Sequence, residues 1–496
     1  MTRAPAGSTE RTTERTNEQP RLGAKVRALR RRESLTQVQL AGQLGISASY
    51  LNLIEANRRP LPSNLLIKLA QLFGVEVGAF ASDDDGRLIA DLTEAFADPV
   101  LEDYDLTSVD IRELTTASPE AARAVLGLYR AYQATRATAD DLSSRLRDGE
   151  ALSGVDGARA LLPVPSEEVS DYLQRAGNYF PELESAAEEL ALRARLTGDD
   201  LYAGLIRYLD QQLGVSVQIS HWEALRGVLR RFDPDRKALI LSELLPTRSR
   251  TFQLAHQIAI VTLGDVLERL VADGRFISTE ARVLAKVALA NYFAGAVLMP
   301  YAAFHQAARG ERYDIDVLGR RFRVGFEQVC HRLTTLRRPG AEGVPFHMMR
   351  LDVAGNISKR FSASGIRFAR FSGVCPRWNV FAAFLTPGMI RIQVSRMPDG
   401  QSYFCIARTV QKDSGGYHAQ QPVQSIGLGC QLEYARELVY ADGVNLDSRD
   451  TLVAVGVTCR LCERTDCEQR AVPSLKVPLH IDENQRGLSL YTAVEP

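Results

Sequence analysis

The stretch Thr36–Arg59, TQVQLAGQLGISASYLNLIEANRR, predicts two short helices joined by a tight turn. Thr36 is a good N-cap for the first helix, Gly45 ends it, and Ser47 caps the second helix. The spacing of the apolar residues is helical in both segments. The residues expected to face a common core are Val38, Leu40, Ala41, Leu44, Ile46, Tyr50, Leu51 and Ile54.

Small polar side chains occupy the outward side of the second helix. They would let the helix enter a major groove and form hydrogen bonds with base edges. Gln37 lies where the first helix would cross the DNA backbone, and two arginines follow the second helix as phosphate contacts. The residues predicted to contact DNA are Gln37, Ser47, Ala48, Ser49, Asn52, Arg58 and Arg59.

Amphipathic helices are predicted on both sides of this pair, at Leu22–Arg32 and Ser63–Phe73, so that a bundle of four or five helices results. In the second of these helices, Leu65, Leu66, Leu69 and Leu72 are expected to face inward. The pattern resembles the lambda-repressor/Cro-like (XRE) DNA-binding domain, and SASYLNLIEANRRPL is similar to that family's recognition helix and exit loop. The resemblance covers residues 21–80 and implies an all-α DNA-binding fold without specifying the operator.

Length and composition indicate a multidomain protein. At 496 residues the chain exceeds one hydrophobic core, and its 24% charged and 45% hydrophobic residues are ordinary for a soluble protein. Residues 1–80 carry 12 Lys/Arg against 6 Asp/Glu, whereas residues 81–160 carry 8 against 17. A basic head before an acidic segment suits a DNA module joined to a part that does not contact DNA. No apolar run approaches 18 residues and the N-terminus lacks a signal peptide, so we expect a cytoplasmic protein without a membrane span.

Changes of pattern along the chain predict five segments. They are a disordered arm (1–20), the helix-turn-helix domain (21–80), a helical linker or dimerisation region (81–165), an α+β domain (166–339) and a C-terminal α+β domain (340–496). The long helix predicted at Pro119–Arg145 is either a dimer arm or an intradomain packing helix.

The middle domain is predicted to contain helices, then a small sheet with a hairpin at DPDRK (233–237), then a helix with the sequence TFQLAHQIAI, Thr251–Ile260. This order and the later ALANYFAGAVLMP resemble the ImmA/IrrE-like metallopeptidase domain, whose H-E-x-x-H helix binds zinc. His256 matches the first ligand, but Gln257 replaces the general base and Ile260 replaces the second ligand. Val287–Leu289 stand where active members place a Glu ligand. The resemblance therefore implies a retained fold without peptidase activity.

A former active site is still concave, which makes it a candidate small-molecule pocket. The alternative is that side chains such as Phe252, Tyr292 and Phe293 have filled it.

After Pro339 the pattern changes to strands. The predicted strands are Phe346–Asp352, Trp378–Leu385, Met389–Met397, Ser402–Thr409, Gln424–Gly429 and Leu452–Val457, with a hairpin turn at Met397–Gly400 and a helix at Gln431–Val439.

Six of the seven cysteines follow residue 370, and three form a C-x2-C-x4-C pattern: Cys459, Cys462 and Cys467. Clustered cysteines without a secretion signal favour metal ligation over disulfides. Cys375, in a Gly- and Pro-containing loop, is the preferred fourth ligand. Cys405 in mid-strand and Cys430 at a predicted helix start remain alternatives. Three close cysteines plus a remote Cys-Pro favour a [4Fe–4S] cluster over structural zinc, while unligated thiols are the third alternative.

The whole chain past the arm resembles the short-chain fatty acyl-responsive transcriptional regulators. The stretches that carry the resemblance are AGNISKRFSASGIRF (354–368), CPRWNVFAAF (375–384), MPDG (397–400) and CRLCERTDC (459–467). It implies a non-enzymatic regulator that senses acyl-CoA, of the propionyl- or acetyl-CoA type, and carries a [4Fe–4S] cluster. Candidate ligand residues are Tyr292, Arg320, Arg323, Lys359 and Arg360, with solvated surface charge as the alternative for the cations.

The function expected from the sequence is a ligand- and redox-responsive transcription factor that binds operator DNA as a homodimer or higher homo-oligomer. Two alternatives remain: a purely redox-sensing iron–sulfur regulator, and an ImmA-like peptidase that the H-Q-x-x-I sequence argues against.

Overall fold

The computed structural model describes residues 22–33, 35–56, 58–59, 61–73, 84–101, 104, 106–147, 164–196, 200–222, 225, 228–369, 373–411, 418, 421–474 and 488–489. The arm predicted at residues 1–20 lies outside the described residues. The chain divides into two units, one ending at Tyr129 and the other beginning at Arg130.

The first unit is helical throughout its described part. Its helices are α1 (Gly23–Arg32), α2 (Gln37–Leu44), α3 (Ala48–Glu55), α4 (Ser63–Phe73), α5 (Asp84–Phe96), α6 (Ser108–Ala117) and the start of α7 (Pro119–Arg147). Residues of α1 to α4, including Val26, Leu40, Leu51 and Leu69, form one hydrophobic core. The four-helix bundle expected around the helix-turn-helix is therefore present.

Two apolar residues in this bundle face solvent, against the prediction. Val38 is 71% exposed and Leu72 is 42% exposed. In α2, Val38 precedes Leu40 by two residues, which places it roughly 200° around the helix from that buried side chain. Leu40, Ala41 and Leu44 cover the core without it.

Helix α7 crosses the boundary between the units. In its first half Ala122, Leu126 and Tyr129 are buried, and the Tyr129 hydroxyl donates a hydrogen bond to Asp98 at 2.9 Å. These contacts favour a packing role for this half of the helix. Leu142, predicted on the same apolar side, belongs to the part whose side chains lie outside the described residues.

The second unit starts with helices that surround a small sheet. The helices after α7 are α8 (Pro165–Arg175), α9 (Pro181–Arg193), α10 (Leu201–Leu213), α11 (Thr247–Thr262), α12 (Gly264–Asp273), α13 (Thr279–Leu298), α14 (Tyr301–Gly310), α15 (Ile315–Phe322) and α16 (Phe326–Leu333). Strands β1 (Ser216–Ser220), β2 (Arg230–Asp233) and β3 (Ala238–Ser242) follow the order β1-β3-β2. Strand β3 pairs parallel with β1 and antiparallel with β2. The predicted hairpin through Asp233–Lys237 is confirmed.

The C-terminal part contains a larger sheet with the order β5-β4-β8-β7-β6-β9. Its strands are β4 (His347–Leu351), β5 (Ile357–Ser362), β6 (Arg391–Arg396), β7 (Ser402–Gln411), β8 (Val423–Gln431) and β9 (Leu452–Ala454). Neighbouring strands are antiparallel except for β6 and β9, which are parallel. A 3-10 helix, Leu432–Glu437, follows β8.

One hydrophobic core joins the middle and C-terminal parts. It contains Leu254 and Phe293 from the helical part together with Met348, Phe404 and Cys430 from the large sheet. The chain on the two sides of Pro339 is therefore tied together by apolar burial, the main favourable contribution to folding.

Two predictions in the C-terminal part are wrong, and one strand was not predicted. The segment Trp378–Leu385 is a short helix α17 (Asn379–Ala382) and a 3-10 turn, because Val380 and Ala383 bury at helical spacing against the sheet. Cys430 lies inside strand β8 instead of starting a helix. Strand β5 was not predicted, since its sequence ISKRFS lacks a continuous apolar face.

By length and composition, α13 is the one described helix that could cross a membrane, and 56% of its most apolar window is buried inside the protein. Its Ala290, Phe293 and Val297 belong to the shared core. Its apolar character is that of a buried core helix.

Candidate DNA-binding and effector sites

The two helices of the DNA-binding motif are fixed by their ends. Thr36 accepts a hydrogen bond from the N–H of Gln39, whose side chain in turn accepts one from the N–H of Thr36, which is a capping box. Gly45 adopts a left-handed conformation with φ 72° and ends α2. Ser47 accepts a bond from the N–H of Tyr50 and begins α3. The predicted caps are confirmed.

Three of the four residues predicted at the start of the recognition helix are exposed. Ser47, Ser49 and Asn52 face solvent, whereas Ala48 is half-buried and packs against the bundle core. The fully outward orientation expected for Ala48 is therefore incorrect. Ser49 and Asn52 therefore stay predicted base-edge contacts, and the Ser47 hydroxyl also caps the helix.

Gln37 connects the two helices of the motif. Its Nε2 donates hydrogen bonds to Asn52 Oδ1 at 3.3 Å and to Glu55 Oε2 at 2.8 Å. Holding the oxygen of Asn52 toward Gln37 leaves its amide N–H groups as donors on the exposed face. This arrangement orients Asn52 before DNA binds, which lowers the conformational entropy lost on binding.

Glu55 joins three helices of the bundle. Its carboxylate accepts two bonds from Arg30 of α1, at 2.7 and 3.0 Å, in addition to the bond from Gln37 of α2. The Glu55 side chain is 0% exposed. Burial alone would raise the pKa of Glu55, but the hydrogen bonds from Arg30 and Gln37 and the charges of Arg30 and Arg27 outweigh it and lower the pKa. Sequence patterns did not reveal this cluster, because 25 residues separate Glu55 from Arg30.

The exit loop presents the two predicted phosphate contacts. The N–H groups of Arg58 and Arg59 both donate to the carbonyl of Leu53, at 2.8 and 3.1 Å. Both arginines are exposed, and the Arg59 guanidinium lies 5.5 Å from the centre of the Tyr50 ring. Stacking on an aromatic ring limits the freedom of Arg59 without neutralising its charge.

The degenerate metallopeptidase helix is α11. His256 and Gln257 are 3% and 2% exposed, whereas Ile260 is 38% exposed. Neither Gln257 nor Ile260 supplies the chemistry of the residue that it replaces. Within the described chain, no group of three or more His, Cys, Asp and Glu side chains is placed to hold a metal ion.

Polar groups lie together around this stretch of α11, and we name Arg230, His256, Gln257 and Asn291 the His256 cluster. His256 Nδ1 lies 2.9 Å from Asn291 Oδ1, and Arg230 Nη1 donates to Gln257 Oε1 at 3.2 Å. Burial and the nearby charge of Arg230 lower the pKa of His256 to about 4, against the hydrogen bond to Asn291. His256 is therefore neutral at physiological pH, and donation from Nδ1 leaves Nε2 as a hydrogen-bond acceptor.

Two atoms of the His256 cluster lack partners. His256 Nε2 and Gln257 Nε2 are buried and form no hydrogen bond with any described residue. The described part of the chain also offers Arg230 no carboxylate. Buried polar groups are normally satisfied, so this set of one acceptor, one donor and one cation is suited to a polar ligand. Only His256 and Gln257 were singled out from the sequence, because Arg230 and Asn291 belong to other elements.

Tyr292 and Phe293 follow Asn291 on α13, and both side chains are buried. The Tyr292 hydroxyl donates to Glu184 at 2.6 Å and accepts from the N–H of Phe180. Glu184 also receives a bidentate ion pair from Arg332, at 2.6 and 2.9 Å, with both side chains 2% exposed. Tyr292 therefore belongs to a buried structural network, and Phe293 is 1% exposed in the core.

The four cations predicted for CoA phosphates do not form one group. Arg320 and Arg323 are exposed at the end of α15. Lys359 and Arg360 lie on β5, where Lys359 pairs with Glu327 at 3.1 Å and Arg360 pairs with Glu167. The charges of the latter two are already compensated within the protein.

The cysteines predicted as ligands lie at one end of the large sheet. The N–H of Cys375 donates to the carbonyl of Val457 at 3.1 Å, which places the Cys375 loop beside the start of the segment Cys459–Arg470, the cysteine loop. Cys375, Cys462 and Cys467 are buried. Burial raises the pKa of the Cys375 thiol, and the nearby Cys459 and Cys462 raise it further. Cys405 is half-buried inside strand β7, and Cys430 is buried inside strand β8.

Arg470 holds the cysteine loop together. Its guanidinium donates to the carbonyls of Cys459 and Cys462, at 3.0 and 3.2 Å, and to that of Arg464. Four thiols from two adjacent loops match the donor set of an iron–sulfur cluster or a four-cysteine zinc site. They are neighbours, although no three of them are placed to bind one ion in the described chain.

Comparisons with known proteins agree with the three-part layout. A family model of a helix-turn-helix domain matches residues 21–80, one of the IrrE N-terminal-like domain matches residues 210–334, and one of the short-chain fatty acyl coenzyme A regulator C-terminal domain matches residues 335–491. A solved structure of a Mycobacterium tuberculosis transcriptional regulator is 45% identical, with a TM-score of 0.64 over 67% of this chain and 100% of that one.

Relatives of full length are also similar. The HTH-type transcriptional regulator PrpR of Mycobacterium tuberculosis is 41% identical over 95% of this chain and 96% of its own. RamB of the same species is 40% identical and the propionyl-CoA carboxylase regulator of Cereibacter sphaeroides is 41% identical, each over 95% of this chain and 98% of its own. The chain therefore belongs to the short-chain fatty acyl coenzyme A regulators, transcriptional regulators with a helix-turn-helix DNA-binding domain.

Proposed function

We propose that this regulator binds a short-chain acyl-CoA in its IrrE-like part and that the bound ligand changes its affinity for operator DNA. The observation that carries the proposal is the His256 cluster, a buried polar group in a site that has lost its catalytic residues. The name of the Cereibacter relative points to propionyl-CoA metabolism for that protein. We extend this metabolic class to the present chain.

The chemistry of an acyl-CoA fits the unpaired atoms of the His256 cluster. Its pantetheine arm carries amide N–H groups that would donate to His256 Nε2, and carbonyls that would accept from Gln257 Nε2 or Arg230. The acyl chain needs an apolar wall, and Phe252 and Ala259, one turn before and one turn after His256, are apolar residues on its side of α11. Arg320, at the exposed end of α15, is a better candidate for the phosphates than Lys359 and Arg360, which are already paired.

Calorimetric titration of the full chain with propionyl-CoA tests the site. Arg230→Gln removes the cation, and we expect the affinity to fall at least tenfold. Arg231→Gln is the matched control, because Arg231 is the next residue of β2 and is exposed on the opposite face. Equal affinity in the two variants, or no binding by the wild type, would refute the acyl-CoA site.

We propose further that Cys375, Cys459, Cys462 and Cys467 hold a [4Fe–4S] cluster, with structural zinc as the alternative. The neighbouring positions of the two loops and the burial of three of the thiols support this ligand set. When bound, such a cluster would supply a redox-sensitive link between the loops. Arg470, through its bonds to the loop carbonyls, would keep the three ligands of the cysteine loop in order.

The visible spectrum and the iron and sulfide content of the anaerobically purified protein test this ligand set. We expect Cys375→Ser to lose the chromophore and Cys405→Ser, which changes a half-buried thiol of β7, to keep it. A colourless wild type with stoichiometric zinc would contradict the cluster and support the zinc site.

The two loops that carry the candidate cysteine ligands also support a second candidate function, a regulator that responds only to redox state. In that case exposure to air would change DNA affinity while propionyl-CoA would not.

We further propose a homodimer, since helix-turn-helix proteins commonly read two half-sites. Light scattering of the purified protein tests this, and a monomer at micromolar concentration would contradict it. No described feature supports peptidase activity.

A further inference from the structure

A groove lies at the β9 edge of the large sheet, next to the cysteine loop. Its volume is about 450 Å³, and its lining includes Arg396, Arg449 and Arg464 together with the apolar residues Met397, Pro398 and Leu452. It is separate from the His256 cluster, which lies on other elements.

Three different elements bring the arginines together. Arg396 ends β6, and in the parallel register it is opposite Ala454 of β9. Arg449 begins the 3-10 turn that leads directly into β9. Arg464 lies between Cys462 and Cys467, and its Nη2 donates to the carbonyl of Arg396 at 3.0 Å. The pairing of β6 with β9 and the hydrogen bond from Arg464 therefore bring the three arginines close together.

Within the described part of the chain, no carboxylate forms an ion pair with the arginines of the groove, and Glu463 is the single acidic residue of its lining. Elsewhere in the same part, Arg312 pairs with Asp442 and Arg436 with Asp447. Arg464 Nε is in addition buried without a hydrogen-bond partner among the described residues.

We propose that this groove binds the diphosphate of a nucleotide-sized molecule. Guanidinium groups bind phosphates through paired N–H donors, and three of them offset the charge of a diphosphate beside one carboxylate. The volume is within the usual range for small-molecule sites and too small for a folded partner, and the apolar residues of the lining suit a base or another ring. The diphosphate belongs either to a free nucleotide or to the ADP portion of a CoA ester other than the one proposed at the His256 cluster.

A ligand bound in the groove would contact Arg464, which connects the groove to the cysteine loop. The carbonyl of Arg464 and those of Cys459 and Cys462 accept hydrogen bonds from the same guanidinium, that of Arg470. A ligand that holds the Arg464 side chain therefore restrains the loop that carries three of the candidate ligands.

Titration of the full chain with pyrophosphate and with ADP tests the proposal. At about 0.15 M salt we expect both to bind the wild type, and the double variant Arg396→Gln/Arg449→Gln to bind them at least tenfold more weakly. Arg391→Gln is the control, because Arg391 is exposed on the same strand and outside the groove. Hydrogen exchange should show protection of residues 449–454 and 459–467 by pyrophosphate, a readout that needs no variant.

The source of the diphosphate follows from competition. Displacement of pyrophosphate by CoA would assign the groove to the ADP portion of CoA, and binding of both at once would assign it to a free nucleotide. No binding of pyrophosphate and ADP to the wild type, or equal binding by the double variant and the control, would overturn the proposal. Binding of an acidic peptide but not of pyrophosphate would overturn it too, and would assign the groove to a protein partner.

Discussion

At the scale of single residues, the DNA-binding surface depends on side chains that contact no base. Glu55 is buried, yet through Gln37 it sets the orientation of Asn52, the exposed amide of the recognition helix. The cost of burying the carboxylate is offset by the bidentate contact with Arg30. The exposed residues of α3 were predictable from the helical spacing, but the buried pair that orients them was not, since charge patterns do not reveal long-range partners.

Replacing Glu55 with Gln should loosen the helix-turn-helix. The change leaves Arg30 without its anionic partner, and we expect the stability of the first unit to fall by about 3 kcal/mol. Hydrogen exchange of α2 and α3 in the full chain measures the loss, and DNA affinity should fall with it. The control is Glu113→Gln, which changes an exposed carboxylate of α6. Unchanged protection of α2 and α3 in Glu55→Gln would show that the pair is not stabilising.

Arg59 and Asn52 should affect DNA binding differently. Arg59→Gln removes a phosphate contact, so affinity should fall for every sequence and the dependence of log K on log salt should become less steep by about 1. Asn52→Ala removes a base-edge donor and should reduce the preference for the operator over random DNA by about 1–3 kcal/mol. Fluorescence anisotropy with both DNAs at several salt concentrations separates the two effects. The same salt dependence in Arg59→Gln as in the wild type would contradict the phosphate contact.

Buried neutral histidines should make the second unit sensitive to acid. Burial lowers the pKa of His256 to about 4 and that of His347 to about 3. In the unfolded chain both imidazoles would take up a proton near pH 6.5, whereas in the folded protein neither imidazole takes up a proton until the pH approaches 4. Stability should therefore fall as the pH drops from about 6.5 toward 4. Thermal unfolding followed across this range checks the sign, and a melting temperature that rises on acidification would contradict it.

At the scale of elements, local signals were decisive where the sequence predictions succeeded. Thr36, Gly45 and Ser47 act through their own backbone neighbourhood, so their caps were predictable. The apolar run Trp378–Leu385 was assigned to a strand, because a short apolar run has no periodicity that distinguishes strand from helix. Its helical state is determined by tertiary contacts, such as the Asn379 side chain donating to the carbonyls of Arg391 and Cys405.

Contacts between different elements also explain why only two of the four residues of the His256 cluster were candidates from the sequence. Its α11 members belong to a recognisable motif, whereas Arg230 arrives on β2 and Asn291 on α13. Asn291 lies in the stretch ALANYFAGAVLMP that resembles the same domain, but only the fold brings its side chain to His256 and that of Arg230 to Gln257.

Glu184, Tyr292 and Arg332 connect α9, α13 and α16 in the core of the second unit. Glu184→Gln should destabilise this unit by about 3–5 kcal/mol, because Arg332 remains buried without a full anionic partner. The double variant Glu184→Leu/Arg332→Met replaces both charges by apolar groups and should recover part of the loss. Chemical denaturation of the three proteins measures the difference. A double variant less stable than Glu184→Gln would show that the pair stabilises the fold beyond charge compensation.

At the scale of the whole molecule, the helix-turn-helix unit and the second unit have separate roles. The first unit contains the helix-turn-helix, on which Ser49, Asn52 and the exit-loop arginines are exposed. The second unit contains the His256 cluster, the cysteine loop and the groove lined by Arg396, Arg449 and Arg464. Its core is shared by the IrrE-like and C-terminal parts. That core is continuous, so apolar packing ties the two parts of the second unit together. Length and charge distribution predicted several domains, but they did not reveal the shared core.

Control of DNA binding by acyl-CoA at the His256 cluster is tested most directly by one measurement. It is the affinity of the wild type and of Arg230→Gln for operator DNA, determined by fluorescence anisotropy with and without saturating propionyl-CoA. We predict a change of at least fivefold in the wild type, a much smaller change in Arg230→Gln, and a wild-type response in Arg231→Gln. An affinity that is the same with and without propionyl-CoA in the wild type would contradict this control.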